Sequence, residues 1–212
     1  MKRLAILGAS GHGKVVAEIA ELSGWDVSFY DDAFPSVSSL EAWGVLGNTE
    51  DLIANLSAFT GVFVAIGNNS IRLDKYKIFA VSPIKLVTLV HPSAVVSSYS
   101  SVGDGTVIMA GAVVNPFAKL GMGCIVNTSA SIDHDCILGD GVHVSPGVYL
   151  AGGVLVGDCS WIGIAASVKQ CVSIGRNVTV GAGSVVLADL PDGVVAVGVP
   201  ANVLSSSENS PC

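Results

Sequence analysis

The 212-residue chain contains little charge and few aromatic side chains. Charged residues make up 13% of it and aromatic residues 6%, whereas an ordinary globular chain is about 25% charged. The formal net charge at pH 7 is −7. Because proteins bind nucleic acid largely through Lys and Arg contacts to phosphates, this negative charge predicts that the chain has no nucleic-acid partner.

Long apolar runs are missing as well. No stretch approaches the roughly 20 apolar residues of a membrane-spanning helix, and the apolar part of the start, MKRLAILG, is too short for a secretion signal. The five cysteines lack CxxC spacing, so neither a disulfide framework nor a zinc knuckle is indicated. We therefore expect a cytoplasmic protein with reduced thiols, no membrane partner and no bound metal.

The second half of the chain carries a strict six-residue repeat. Stepping by six from Val96 to Val186, all sixteen positions are Val, Ile or Leu, and every third step is followed by a glycine, from Gly103 to Gly175. A helix with 3.6 residues per turn cannot hold this register, whereas three six-residue sides closing a triangular coil account for both periods. The pattern predicts a β-helix of about five coils, with the aliphatic side chains inside and the glycines relieving the corners.

A different pattern precedes the repeat. Lys2–Leu7 is a short apolar strand, followed by the glycine loop Gly8–Gly13, a helical stretch and a second strand that ends at Asp31 and Asp32. In a nucleotide-binding βαβ unit, the glycines let the backbone approach a diphosphate and the acid accepts hydrogen bonds from ribose or base. The spacing GxxGxG, rather than GxGxxG, disfavours NAD. A small α/β domain whose glycine loop binds nothing is the alternative.

These patterns divide the chain into four segments. Residues 1–82 form the predicted Rossmann-like domain, and residues 83–92 form a linker bracketed by prolines. Residues 93–201 form the β-helix, and residues 202–212 form a polar tail, whose part SSSENSPC (residues 205–212) is expected to be disordered.

Several segments together resemble one protein family. They are GASGHG after the first strand, the Asp-Asp pair, AIGNN after a later strand, and coils that contain NTSASIDHDC and end in GVPA. From Lys2 to about Val203 the chain resembles the bacterial hexapeptide-repeat sugar acetyltransferases, which comprise nucleotide-4-amino-sugar N-acetyltransferases and sialic acid O-acetyltransferases. The resemblance implies a left-handed parallel β-helix after the Rossmann-like domain, and a homotrimer with active sites at the subunit interfaces. It also implies acetyl-CoA as co-substrate and a nucleotide sugar on the front domain.

The resemblance further implies roles for individual residues. It places the general base at His134 and the acid that raises its basicity at Asp135. The implied acetyl-CoA residues are His143, Gly152 (a backbone donor near the thioester carbonyl), Ile164 and Ala182, and the implied sugar-nucleotide residues are Ser10, Gly11, His12, Asp31, Asp32 and Gly67. Two positions depart from the family: Asp135 replaces a Glu, and Ala182 replaces a glycine, so the coenzyme slot is expected to be slightly narrower.

The repeat register also bears on His134, which lies between two aspartates in SIDHDCILGD. It stands two residues after the inward Ile132, which places its side chain on the outer surface. An imidazole that titrates near neutrality can accept a proton from an attacking amine, and an adjacent carboxylate can fix its tautomer. The residues leave open whether Asp133 or Asp135 is that carboxylate, and we favour Asp135. A solvated surface histidine is the alternative.

We therefore predict an acetyl-CoA-dependent N-acetyltransferase that acts on the 4-amino group of a nucleotide-linked 4-amino-4,6-dideoxy sugar, with UDP favoured. The amine would attack the thioester directly, so no covalent enzyme intermediate is expected. One alternative is an O-acetyltransferase of sialic acid or a related sugar. Another is a non-catalytic, nucleotide-binding trimeric scaffold. The sequence leaves UDP, dTDP and GDP open.

Overall fold

The chain divides into two compact units, Met1–Pro92 and Ser93–Cys212. The structure is a computed structural model and describes residues 2–206. None of the described helices is long and apolar enough to span a membrane.

The first unit is a four-stranded parallel sheet with helices, as predicted. The elements in chain order are β1 (Lys2–Leu7), α1 (Gly11–Leu22), β2 (Trp25–Tyr30), β3 (Ser39–Leu40), β4 (Trp43–Gly44), α2 (Thr49–Ala54), a 3-10 turn (Leu56–Ala58), β5 (Gly61–Val64), α3 (Asn69–Ala80), β6 (Lys85–Leu86) and β7 (Leu89–Val90). The sheet order is β2-β1-β5-β6. Of the two central strands, β1 is apolar and buried over its last four residues and β5 is buried along its whole length, as parallel strands covered on both faces are.

The segment predicted as a linker is partly sheet. Its residues Lys85–Leu86 pair with β5 and extend the parallel sheet by one strand. At Lys85–Leu86 the backbone satisfies its hydrogen bonds by pairing, so this part of residues 83–92 is not a free connection.

The second unit is a β-helix. Its strands are β8 (Val95–Val96), β9 (Ser101–Val102), β10 (Val107–Ile108), β11 (Val113–Val114), β12 (Lys119–Leu120), β13 (Ile125–Val126), β14 (Ser131–Ile132), β15 (Ile137–Leu138), β16 (His143–Val144), β17 (Tyr149–Leu150), β18 (Leu155–Val156), β19 (Trp161–Ile162), β20 (Ser167–Val168), β21 (Ser173–Ile174), β22 (Thr179–Val180), β23 (Val185–Val186), β24 (Val194–Gly198) and β25 (Ala201–Ser206). Each repeat aliphatic is the second residue of its strand. From Ile108 to Val186 every one of them is buried, which confirms the inward register.

The strands stack into three parallel sheets, one for each side of the triangular coil. Face 1 contains β10, β13, β16, β19 and β22 and is extended by β24 and β25; face 2 contains β8, β11, β14, β17, β20 and β23; face 3 contains β9, β12, β15, β18 and β21. Residues eighteen apart therefore lie one above the other in adjacent coils, as Ser131 and Tyr149 do.

The glycines after every third step do not relieve the corners as predicted. A Cβ on Gly103 would lie 2.4 Å from the Gly121 carbonyl carbon, so these glycines allow neighbouring coils to approach each other. The corners are formed three residues after each inward aliphatic. At this step of the repeat, all fourteen residues from Gly105 to Gly183, spaced six apart, have positive φ angles, and half of them are not glycine. Among these is Asp135, with a φ of 60°.

The predicted polar tail, residues 202–212, overlaps a strand, and so does the start of its part expected to be disordered, residues 205–212. Ala201–Ser206 forms β25, which pairs antiparallel with β24. Five residues assigned to the tail are thus ordered by backbone pairing, which a polar composition does not prevent. The remaining predicted tail, residues 207–212, lies outside the described residues.

Candidate active site

His134 and Asp135 lie side by side at the edge between face 2 and face 3, in the turn after β14. The left-handed conformation of Asp135 turns its carboxylate back to the ring, where Oδ2 accepts a hydrogen bond from His134 Nδ1 at 2.8 Å. The His134 side chain is 61% exposed, as the register predicted. With Nδ1 engaged, Nε2 is the ring atom that can exchange a proton with a ligand.

The electrostatics of this edge make His134 a stronger base. The hydrogen bond that His134 donates to Asp135 is the main cause that raises the pKa of His134 above its usual value of 6.5, and the charge of Asp133 raises it further. A carboxylate beside the ring stabilises the imidazolium and fixes the tautomer that leaves Nε2 unprotonated.

Asp133 serves the backbone rather than the ring. Its Oδ1 accepts the His134 backbone N–H at 2.7 Å and Nδ2–H of Asn115 at 2.9 Å. The bond from His134 is the main cause that holds the pKa of Asp133 below its usual value. Of the two carboxylates left open by the sequence, Asp135 is therefore the one that touches the imidazole.

Gly152 lies one coil above His134 and forms the surface against which the ring rests. A Cβ on Gly152 would lie 2.6 Å from both Cε1 and Nε2 of His134, closer than any side-chain atom can approach. The two coils are tied together by the Gly153 N–H, which donates to the His134 carbonyl at 2.9 Å. Only glycine at position 152 lets the imidazole occupy this place.

A second feature, here called the apolar groove, runs along face 1. It has a volume of about 380 Å³ and brings together three of the four predicted coenzyme residues; its lining residues include His143, Ile164, Ala182, Trp161, Ser145 and Pro146. The fourth, Gly152, lies at the His134 edge. The apolar lining suits the uncharged arm of a coenzyme rather than a phosphate.

Trp161 is a groove residue that the sequence reasoning missed. Its ring stacks on His143 with centroids 5.8 Å apart and planes 7° apart, and its Nε1–H donates to Ser145 Oγ at 2.6 Å. His143 Nε2 also lies 3.2 Å from Asn127 Nδ2. The register held the signal, since Trp161 stands eighteen residues after His143 at the same outward position.

The apolar groove and the His134 edge flank face 2 on opposite sides. Along one coil the chain passes from β16 on face 1 through Ser145 and Pro146, crosses face 2 as β17, and reaches Gly152 before entering face 3. One full face therefore separates the groove from His134 within a single chain.

In the first unit, Asp31 and Asp32 are already engaged by donors of the protein. Asp31 Oδ2 accepts the Ala9 N–H at 2.7 Å and so fastens the glycine loop to the end of β2. Asp32 Oδ1 accepts the N–H of Thr49 at 2.9 Å and its hydroxyl at 2.6 Å, while Oδ2 pairs with Lys75. The helix α1 begins at Gly11 with Ser10 as its N-cap, so it starts inside the predicted loop Gly8–Gly13 rather than after it. Contacts from these acids to ribose or base stay a prediction.

A buried arginine, Arg72, supports the loop that follows β5 and was also missed. It is fully buried, and its guanidinium donates to the carbonyls of Ile66 and Gly67 at 2.9 and 3.0 Å and to Asn69 Oδ1 at 2.9 Å. It thereby fixes the predicted ligand-loop residue Gly67. No pattern of apolar or charged residues in the sequence indicates that Arg72, a residue of α3, binds the loop that precedes this helix.

His12 is partly buried near Arg72, and its Nε2 is shielded from solvent. Burial is the main cause, and the Arg72 charge the second, that lowers the pKa of His12 to about 4. Within residues 2–206 its Nε2 has no hydrogen-bond partner. His12 therefore stays neutral at physiological pH.

The pH dependence of stability should reveal His12. Its pKa is lowered on folding, so the unfolded chain takes up a proton as the pH falls below 6.5 and the folded chain does not until about 4. We expect this residue to cost on the order of 3 kcal/mol of unfolding free energy between pH 7 and pH 4. Urea titrations of wild type and His12→Gln at successive pH values check this, since the variant should lose that part of the slope. Parallel pH curves for the two proteins would contradict it.

The described residues 2–206 contain no group of three or more His, Cys, Asp or Glu side chains placed to hold a metal ion.

Comparisons with known proteins show which proteins this chain resembles. The family described as PglD N-terminal domain matches residues 3–79. The chain is 30% identical over 153 residues to GDP-perosamine N-acetyltransferase of Escherichia coli O157:H7, which covers 69% of each chain. It is 38% identical over 114 residues to UDP-N-acetylbacillosamine N-acetyltransferase of Bacillus subtilis, and this match spans only 52% of each chain.

A solved structure covers nearly the whole chain. The acetyltransferase domain of PglB from Neisseria gonorrhoeae, in complex with acetyl coenzyme A, superimposes with a TM-score of 0.92 and 42% sequence identity. The match includes 96% of this chain and 99% of that one, so both units of the present fold occur together in a protein that binds acetyl coenzyme A.

Proposed function

We propose, since this chain belongs to the bacterial nucleotide-sugar N-acetyltransferase family, that it transfers the acetyl group of acetyl-CoA to the 4-amino group of a nucleotide-linked 4-amino-4,6-dideoxy sugar. The observation that carries the proposal is the exposed His134 ring. Asp135 holds it through Nδ1, and Nε2 lies beside Gly152, where a side chain would leave no room for it. That arrangement is a general base at a surface, which an amine acceptor requires.

The proposed reaction is a direct transfer. The sugar amine attacks the thioester carbonyl, Nε2 of His134 takes the proton that the amine loses, and Asp135 stabilises the imidazolium that forms. The Gly152 N–H donates to the carbonyl oxygen as negative charge develops on it. The carbon–sulfur bond then breaks, the coenzyme leaves as a thiol after taking the proton from His134, and the amide remains on the sugar.

The apolar groove is the proposed place of the coenzyme arm. His143, Ile164 and Ala182 line it, and Trp161 adds an indole wall beside His143. Because the groove and the His134 edge of one chain are a full face apart, the thioester of a coenzyme in one groove must reach His134 of a neighbouring copy.

A homotrimer built around face 2 satisfies this requirement. When three prisms turn face 2 towards a common axis, the groove edge of each one meets the His134 edge of the next. The outward side chains at the centre of this face are uncharged; they are Val113, Ser131, Tyr149, Ser167 and Val185. Tyr149 is 58% exposed in the single chain, and an exposed aromatic side chain of this kind is typical of an interface.

Charge on face 2 should dissociate the trimer. In Tyr149→Glu three carboxylates would meet near the axis without partners, which costs several kcal/mol, so we expect monomers in light scattering and loss of turnover. Leu155→Glu is the matched control, because Leu155 is comparably exposed but lies on face 3; it should remain trimeric. Dissociation by both substitutions, or by neither, would argue against face 2 as the axis face.

Acceptor assays test the function itself. Purified protein is mixed with acetyl-CoA and, separately, with UDP-, dTDP- and GDP-linked 4-amino-4,6-dideoxy sugars and with sialic acid, and free thiol is followed. We expect kcat/KM to be at least about tenfold higher for the UDP-linked sugar than for the other nucleotides, the scale on which one or two nucleobase contacts discriminate. Release with sialic acid alone would indicate an O-acetyltransferase, and no release with any acceptor would indicate a nucleotide-binding scaffold.

A further inference from the structure

Asn115 connects to the proposed base through a chain of two hydrogen bonds. Strands β11 and β14 are in register, with Val114 opposite Ile132, so Asn115 lies one coil below Asp133. Its Nδ2–H donates to Asp133 Oδ1 at 2.9 Å, and the same oxygen accepts the His134 backbone N–H at 2.7 Å. One carboxylate oxygen of Asp133 thus accepts two hydrogen bonds, one from the coil below and one from the next residue along the chain.

We propose that Asn115 is a positioning residue for acetyl transfer, which holds the Asp133 carboxylate on the His134 backbone and away from the imidazole. The inference rests on the proposed role of His134 as base. It assigns separate tasks to the two aspartates: Asp135 contacts the ring, and Asp133, pinned by Asn115, fixes the backbone from which the ring projects.

The hydrogen bond from Asn115 to Asp133 is here called the clamp. The need for it follows from the charges around His134. Two carboxylates flank one exposed imidazole, and an unrestrained anion is drawn to the imidazolium that forms during proton transfer. If Asp133 turned to the ring, it would compete with Asp135 or cover Nε2, the atom that must face the amine. The Asn115 amide satisfies Asp133 where it stands, so Asp135 keeps Nδ1 and Nε2 stays open.

The local backbone gives the clamp a second task. Asp135 occupies a corner with a positive φ of 60°, a conformation that costs a non-glycine residue roughly 1–2 kcal/mol. The neighbouring coils hold this turn through Asp135 N–H to the Pro116 carbonyl at 3.3 Å and Gly153 N–H to the His134 carbonyl at 2.9 Å. The side-chain clamp adds the His134 N–H to this set.

A histidine titration tests the clamp whether or not the protein turns over. In protein with isotope-labelled histidine, the four imidazoles are followed by NMR, and the His134 signals are assigned by their loss in His134→Ala. We expect Asn115→Ala to raise the His134 pKa by about 0.5 unit or more, as Asp133 becomes free to approach the ring. Ser97→Ala, one coil below Asn115 at the same step of the repeat, is the matched control and should leave it unchanged. An unchanged His134 pKa in Asn115→Ala would overturn the inference.

The order of variants separates an electrostatic hold from simple packing. Asn115→Asp keeps the shape of Asn115 but replaces its donor by a second carboxylate, so it should repel Asp133 and perturb His134 more than Asn115→Ala does. In kinetics we expect kcat to fall about 10-fold in Asn115→Ala and further in Asn115→Asp, with both KM values within about twofold, as for a misplaced catalytic group. If Asn115→Asp were the milder variant, Asn115 would be a packing residue.

Combining substitutions keeps this test apart from that of the proposed function. If Asn115 acts through His134, adding Asn115→Ala to His134→Ala should cause no further loss of kcat. A His134→Ala variant with wild-type turnover would refute the proposed base, and the titration would still decide whether Asn115 holds Asp133. A wild-type kcat for Asn115→Ala together with a strong His134→Ala defect would refute the positioning role alone.

Discussion

His134→Ala should lower kcat for acetyl transfer at least about 100-fold, because a positioned general base contributes roughly 10²–10⁴-fold to such a step. The side chain is 61% exposed, and its removal leaves no cavity in the core, so the fold and the trimer should persist. The measurement is thiol release under saturating acetyl-CoA and acceptor, with light scattering as the check on assembly. A loss of less than about threefold would mean that the amine gives up its proton elsewhere.

The pH profile separates the base from its partner. The hydrogen bond to Asp135 raises the pKa of His134 above 6.5, and the base works only when it is unprotonated. The wild-type kcat should therefore rise with pH through an apparent pKa above 6.5. In Asp135→Asn the main cause of this increase is removed, so the acid limb should move to lower pH while the plateau falls. An unmoved acid limb would show that Asp135 does not control the ring.

Gly152→Ala should inactivate the protein without unfolding it. The new methyl group would lie 2.6 Å from Cε1 and Nε2 of His134, and the exposed ring can escape only by leaving its place beside Asp135. Since misplacement of a catalytic group by about 1 Å can cost about 100-fold, we expect a loss of kcat of that size. Thiol release and a urea denaturation curve measure the two effects separately.

Gly153→Ala is the matched control for this prediction. Gly153 has a φ of 70°, and its nearest neighbour to an added Cβ is Cys171 Sγ at 3.4 Å. Alanine there adds left-handed strain of roughly 1–2 kcal/mol but touches no atom of His134, so stability should fall while kcat stays within about threefold. Equal losses of kcat in the two variants would show that any substitution at this edge lowers activity. They would contradict the prediction that Gly152→Ala acts through contact with the His134 ring.

Periodicity explains why so much of the second unit could be predicted. A residue in a hexapeptide coil faces inwards or outwards according to its step in the repeat, so Ile132 fixes the outward direction of His134 through local backbone geometry alone. The same reasoning failed for the corner glycines. Those after every third step are required by contact with the next coil, as at Gly103, which a pattern within one coil does not reveal.

The first unit shows a different limit. Strand, glycine loop, helix and acid pair were recognisable because each has a local signature. The support that Arg72 gives to Gly67, and the burial that keeps His12 neutral, arise between residues of different elements and have no period.

The amino-acid sequence by itself determined the β-helix, its register and the outward position of His134, because these depend on the spacing of apolar side chains along the chain. Only the tertiary structure decided that Asp135 and not Asp133 holds the imidazole, that Gly152 lies against it, and that the apolar groove occupies another edge. These depend on side-chain directions and on contacts between coils eighteen residues apart, where several arrangements share one sequence pattern and packing selects among them.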